Sequence, residues 1–247
     1  MFSEEQRNQV RDCVLNMARS DPRVTAGALT GSAAASREDE WSDVDVAFGI
    51  AEGHSVAAVL DDWTRELERE LGVLHYWDLP SGSSIYRVFL LPTGMEIDIG
   101  VTPGQDFGAR GPAFRKLFGT TGEPLPSTPP DAQHIVGLGW HHIFHARSSI
   151  ERGKLWRAEY WIGQVREKTL TLACLRFGKD AYHGRGIDSL PDAVKVPLEG
   201  TLVCALEVGE LRRCLRVATL CFISELDALD PELFGRLEPL LQKFGAS

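Results

Sequence analysis

Nine residues divide this chain. Glu123 to Asp131 reads EPLPSTPPD and holds four prolines. Each proline fixes φ and lacks an amide donor, so the run can continue neither a helix nor an interior strand and forms a stiff connector. Its two flanks differ in kind. Before it, short β-branched and aromatic runs alternate with amphipathic helical patterns; beyond it, strand signal almost vanishes and helical spacing takes over. The expected architecture is α+β, with a small mixed-sheet domain over residues 1–122 followed by an all-helical domain over residues 131–247. With 43% apolar residues in a chain of 247, each part can bury a core.

Local signals fill in the first half. Ser3 and Gln6 form a capping box ahead of Val10, Val14 and Met17 at helical spacing, and Asp21-Pro22 ends that helix. Val24–Leu29, Val44–Ile50 and Val73–Trp77 read as strands. Ser55 caps a helix carrying Val59, Leu60, Trp63 and Leu67 on one face. Ile85–Leu91 and Met95–Val101 flank Pro92-Thr93-Gly94 as a β-hairpin. In the second half helices are expected over 132–151, 155–177, 198–226 and 231–243.

Charge and cysteine content restrict the partners. The formal net charge is -9, which repels a polyanion, disfavours nucleic acid and suits cationic small molecules. The five cysteines show no C-x-x-C spacing and sit mostly in apolar helical contexts, as expected of a reduced, cytoplasmic protein. The start, MFSEEQRNQV, has neither a basic region nor an apolar run, so no signal peptide is expected. No apolar stretch approaches the ~20 residues of a membrane span. Nothing in the sequence sets the oligomeric state.

Three short segments carry candidate chemistry. Gly31 follows a strand, where a glycine permits a tight turn and close backbone approach to a ligand, and Ser32 opens a short helical stretch whose amides and hydroxyl can cradle a phosphate. Asp43 and Asp45 alternate with Val44 and Val46, so both project from one strand face. Paired carboxylates repel unless a cation lies between them, and a hard oxygen pair suits Mg²⁺; a solvated acidic strand end is the plainer reading. Glu96 and Asp98 share a face of a later strand. Asp98, flanked by Ile97 and Ile99 and lying deeper in the strand, is favoured as a third carboxylate, either ligating a second metal or acting as general base.

A Gly-Ser turn, then Asp-x-Asp on the next strand, then a third Asp on a later one: in this order Gly31-Ser32, Asp43-x-Asp45 and Asp98 resemble the nucleotidyltransferase superfamily that includes DNA polymerase beta. The resemblance covers about the first 105 residues. It implies a short mixed sheet flanked by helices. It also implies two Mg²⁺ ions held by Asp43, Asp45 and Asp98 with a nucleoside triphosphate, and attack of a substrate hydroxyl on the α-phosphate with loss of pyrophosphate. The two-part layout is similar to the antibiotic-modifying nucleotidyltransferases, in which a helical domain covers the cleft. The implied reaction is transfer of a nucleoside monophosphate, AMP first, to a hydroxyl of a small, aminoglycoside-like acceptor. Transfer to protein or tRNA and non-catalytic nucleotide binding are the alternatives.

In the helical half, Glu159 and Arg166 fall within the apolar arc of the helix over 155–177, marked by Leu155, Ala158, Ile162, Leu170 and Ala173. A charge there is costly unless it is paired or lines a cleft. The resemblance makes Glu159 the match to a helical-domain base; an interdomain salt bridge is the competing reading. Lys154 and Arg166, with Lys179 and Arg185 on the Gly178–Pro191 loop, are candidates for triphosphate contact, and His183 lies on the same loop; a solvated turn is the alternative for that loop. His141 and His145 stand one helical turn apart without an obvious third ligand, so ordinary histidines are favoured over zinc.

Overall fold

In a computed structural model, residues 2–111, 113–124 and 128–245 are described. The middle of the proline-rich connector, Leu125 to Ser127, lies outside them. The chain forms two compact units, Met1–Ser127 and Thr128–Ser247.

The first unit runs α1 (Glu4–Ser20), β1 (Val24–Thr30), α2 (Gly31–Ala34), β2 (Val44–Ile50), α3 (Val56–Leu71), β3 (His75–Ser81), β4 (Ser84–Leu90), β5 (Glu96–Pro103) and β6 (Phe114–Gly119). These six strands form one mixed sheet in the order β3-β4-β5-β2-β1-β6. Among the described residues, only β2 and β5 pair in parallel. The capping box at Ser3 and Gln6 is present, the Ser55 hydroxyl caps α3, and Gly72 ends α3 in the left-handed region at φ 66°. Edge strand β6 has no counterpart among the expected strands, because the run FRKLFG mixes two basic residues into a short apolar pattern.

Strand alternation places the site. Val44, Val46, Phe48 and Ile50 of β2 and Ile97, Ile99 and Val101 of β5 pack with Val14 and Ala18 of α1 and Val59, Leu60, Trp63 and Leu67 of α3 in the main core. Trp63 meets Phe48 edge-on at 5.3 Å, and its indole N–H donates to Asp21 Oδ2 over 2.9 Å, so the ring is buried without an orphaned donor. With one face covered this way, the intervening Asp45 and Asp98 must project from the other.

The second unit is helical: α4 (Ala132–Glu151), α5 (Leu155–Arg176), α6 (Asp192–Glu199), α7 (Val208–Leu229) and α8 (Pro231–Gly245). One expectation is corrected here. The helix expected over 198–226 begins only at Val208, as α7; a turn that starts at Gly200 precedes it, and α6, which ends at Glu199, has no counterpart among the expected helices. That turn is held by polar contacts: Thr201 Oγ1 donates to the Leu198 carbonyl at 2.6 Å, and Arg213 donates to the Gly200 carbonyl at 2.9 Å. The core joins Ile135 and Ile143 of α4, Ala158, Ile162, Val165 and Leu172 of α5, and Leu211, Leu215, Ala218 and Phe222 of α7. Gly139 of α4 is required by this packing, since a Cβ there would come within 2.6 Å of Phe222 Cζ. No described helix is long and apolar enough to cross a membrane.

Candidate active site

Strand β1 ends at Thr30, and Gly31 turns the chain at φ 57°, a conformation that costs other residues energy. The turn leaves room for one particular neighbour. A Cβ on residue 31 would overlap Asp45 Oδ2 and come within 2.7 Å of its Cγ. The Asp45 carboxylate therefore lies directly against the Gly31 backbone, where any side chain would displace it. Beside it, the Ser32 hydroxyl oxygen is buried without a hydrogen-bond partner among the described residues.

Parallel pairing sets Asp45 of β2 opposite Asp98 of β5. Asp98 is half-buried, and its Oδ1 is also without a partner among the described residues. Burial first, then the negative charges of Asp43 and Glu96, push its pKa up to about 6. Asp43 stands just ahead of β2, which begins at Val44, and not within the strand; it is still close enough to Asp98 to act on its ionisation. The structure thus brings Gly31, Ser32, Asp43, Asp45 and Asp98 into one neighbourhood. Among the described residues no three His, Cys, Asp or Glu side chains stand ready as a metal cage. Mg²⁺ does not need one: it usually keeps several waters and takes one or two carboxylates plus substrate phosphates. The buried, unpartnered oxygens of Ser32 and Asp98 beside the Asp45 carboxylate fit that cation with its phosphate ligands.

Two neighbours escaped the sequence reading. Tyr86 of β4 lies over Gly100, where a Cβ would approach its ring within 2.8 Å. Burial, followed by the opposing effects of Arg110, which lowers it, and Asp98, which raises it, leaves the Tyr86 pKa raised. Arg110 donates to the Ser84 hydroxyl at 3.0 Å, and that hydroxyl lies 2.8 Å from Thr102 Oγ1. Strand alternation could have found Tyr86; no local pattern marks Arg110, which arrives from a loop.

The helical unit scatters its candidates. Lys154 precedes α5 and Lys179 follows it, so 22 helical residues, roughly 33 Å at 1.5 Å each, separate the two. Lys154 therefore cannot share one triphosphate with Lys179 and Arg185, so at most one of these two groups of candidates can serve that contact. Lys154, Lys179, His183 and Arg185 are exposed, and Arg185 lies 3.6 Å from Asp180. Arg166 has a structural use, donating to both the Thr201 carbonyl and its hydroxyl at 3.1 Å. Glu159 is half-buried and has no ion-pair partner within this unit among the described residues. His141 and His145 pair with each other, Nε2 to Nε2 at 2.9 Å, and Trp161 stacks on His145 at 4.8 Å. Burial first, then the neighbouring charges of His141, Arg157 and Arg152, lower the His145 pKa.

No family model and no curated protein matches this chain. An aminoglycoside 6-adenyltransferase from Bacillus subtilis is similar over 100% of both chains, at 12% identity and a TM-score of 0.43. At that level the similarity assigns neither activity nor substrate.

Proposed function

We propose that the chain is a magnesium-dependent nucleotidyltransferase that moves a nucleoside monophosphate, AMP first among the candidates, from a nucleoside triphosphate to a hydroxyl of a small molecule. One observation carries this reading. Asp98, with a buried and unpartnered oxygen, stands in register with Asp45, whose carboxylate lies against the Gly31-Ser32 turn. A buried carboxylate beside two more, next to a buried hydroxyl that lacks a partner, is costly in a merely structural sheet.

Asp43, Asp45 and Asp98 would hold two Mg²⁺ ions. Bound there, the cations offset charge on the attacking and leaving oxygens. The chain's own groups do the rest. The Gly31 turn lets the Asp45 carboxylate lie against the backbone, and the Ser32 hydroxyl beside it donates to a phosphate oxygen. The acceptor oxygen bonds to the α-phosphorus as the bond to the bridging oxygen breaks, and pyrophosphate leaves with that electron pair. Asp98 takes the hydroxyl proton. The net charge of -9 continues to disfavour a polyanionic acceptor such as tRNA.

The test is a screen for label transfer from each α-labelled nucleoside triphosphate to aminoglycosides, lincosamides, tRNA and protein, with pyrophosphate release measured in parallel. Mg²⁺-dependent transfer that is lost in Asp43→Asn and Asp45→Asn, both remaining folded, is the expected result. Wild-type turnover in either variant refutes the assignment; Mg²⁺-dependent nucleotide binding without transfer to any acceptor identifies a binding protein instead.

A further inference from the structure

The carboxylates form the inner half of a longer line. Trp77 of β3 pairs with Val88 of β4, Val88 with Asp98 of β5, and Asp98 with Asp45 of β2. Residues directly opposite one another across strands project from the same face. One row therefore crosses the open face of the sheet as Trp77, Val88, Asp98, Asp45. Flanking rows extend the apolar end: Leu79 pairs with Tyr86, and Leu90 with Glu96. Trp77 is 52% exposed, Leu79 49% and Leu90 40%. Large apolar side chains left contiguous on a surface, beside a chemically active cluster, mark a binding site.

The direction of the chemistry decides which ligand lies there. Gly31 and Ser32 approach Asp45 from the β1 side, and on the reading that Ser32 contacts phosphate the departing phosphates would lie on that side. In phosphoryl transfer the attacking and leaving oxygens are roughly in line through phosphorus. The acceptor hydroxyl must then arrive from the opposite side of Asp45, past Asp98, over β4 and β3. Two strand spacings, about 10 Å, separate the Trp77 and Asp98 backbones, within the reach of one small molecule.

We propose that Trp77, with Leu79 and Val88, is the platform on which the acceptor stacks, and that the acceptor is a small hydroxylated ring compound bearing positive charge. This rests on the nucleotidyl-transfer reading above. A tryptophan face takes the apolar side of a ring and attracts a cation. Glu96 supplies the matching charge: it is exposed beside Leu90 at the edge of the platform, with no ion-pair partner among the described residues. Asp43 and Asp45 are committed to the cations, which leaves Glu96 for an ammonium group on the acceptor.

The experiment uses the full chain with Mg²⁺ and α-labelled ATP, and kanamycin, streptomycin and lincomycin as probes. Wild type is compared with Trp77→Ala, Trp77→Phe, Leu79→Ala and Glu96→Gln, with melting temperatures recorded for each. Trp77 lies half exposed on an edge strand, so its truncation should leave the fold in place. The expected result is an acceptor KM raised at least tenfold by Trp77→Ala, partly restored by Trp77→Phe and also raised by Glu96→Gln, with the KM for ATP within twofold of wild type. A raised KM for ATP with the acceptor KM unchanged would put the nucleoside base on Trp77 and overturn the proposal, and so would kinetics unaffected by Trp77→Ala. Failure of all three probes to accept label overturns the acceptor class. In that case Mg²⁺-dependent ATP binding, measured by equilibrium dialysis in wild type and Asp45→Asn, reports separately whether the nucleotidyl-transfer reading stands.

Discussion

Replacing Asp98 by asparagine should stabilise the metal-free protein while abolishing transfer. Its pKa rises from 3.8 unfolded to about 6 folded, chiefly through burial. Between those values the folded state holds a proton that the unfolded state has released, so stability falls as pH rises through that window. Below about pH 4 both states are protonated and nothing is lost. Above about pH 7 the penalty is complete: a difference of about two in pKa, at 1.36 kcal/mol each, or about 3 kcal/mol. An asparagine side chain carries no charge to desolvate, so Asp98→Asn recovers up to that amount at pH 8 and almost none at pH 4. For a unit of this size the gain at pH 8 corresponds to a melting temperature higher by on the order of 10 °C. Thermal unfolding of both proteins in EDTA from pH 4 to pH 8 reads the effect directly. Curves that run parallel across this range, or a variant less stable at pH 8, would refute the electrostatic account. Saturating Mg²⁺ and ATP should raise the melting temperature of wild type and leave that of the variant nearly unchanged, because the cation relieves the same repulsion.

Three further outcomes are expected. Gly31→Ala should abolish transfer and cost about 1–3 kcal/mol, since it adds a Cβ onto the Asp45 carboxylate at a φ of 57°; wild-type turnover together with an unchanged melting temperature would contradict the packing described. The lowered His145 pKa means the unfolded state takes up the proton first, so the helical unit should lose stability as pH falls below the unfolded value of 6.5; His145→Gln should flatten the denaturation midpoint against pH in that range, and an unchanged slope excludes this source. Glu159→Gln should lower turnover far more than nucleotide affinity if this glutamate is a base; a lowered melting temperature with turnover per folded molecule unchanged assigns it a structural role instead.

What the sequence determined is what strand and helix periods can encode. The connector, the α+β class, the order Gly31-Ser32, Asp43-x-Asp45, Asp98, and the choice of Asp98 over Glu96 as the more enclosed carboxylate all follow from local chemistry and a side-chain period of two. Spacing along a helix was legible too: counting residues along α5 suffices to separate Lys154 from Lys179. Other features depend on partners distant in the chain. That Gly31 must be glycine because of Asp45, that β5 pairs in parallel with β2 so that Asp98 meets Asp45, and that Arg166 is engaged by Thr201 are decided by which surfaces meet. The late start of α7 belongs with these, because Arg213 and Thr201 hold a turn where the expected helix would have continued. The row from Trp77 to Asp45 is the furthest from the sequence. Each pairing in it joins residues ten or more apart, and strand order, which no local energy specifies, put an exposed aromatic and an enclosed carboxylate on one face.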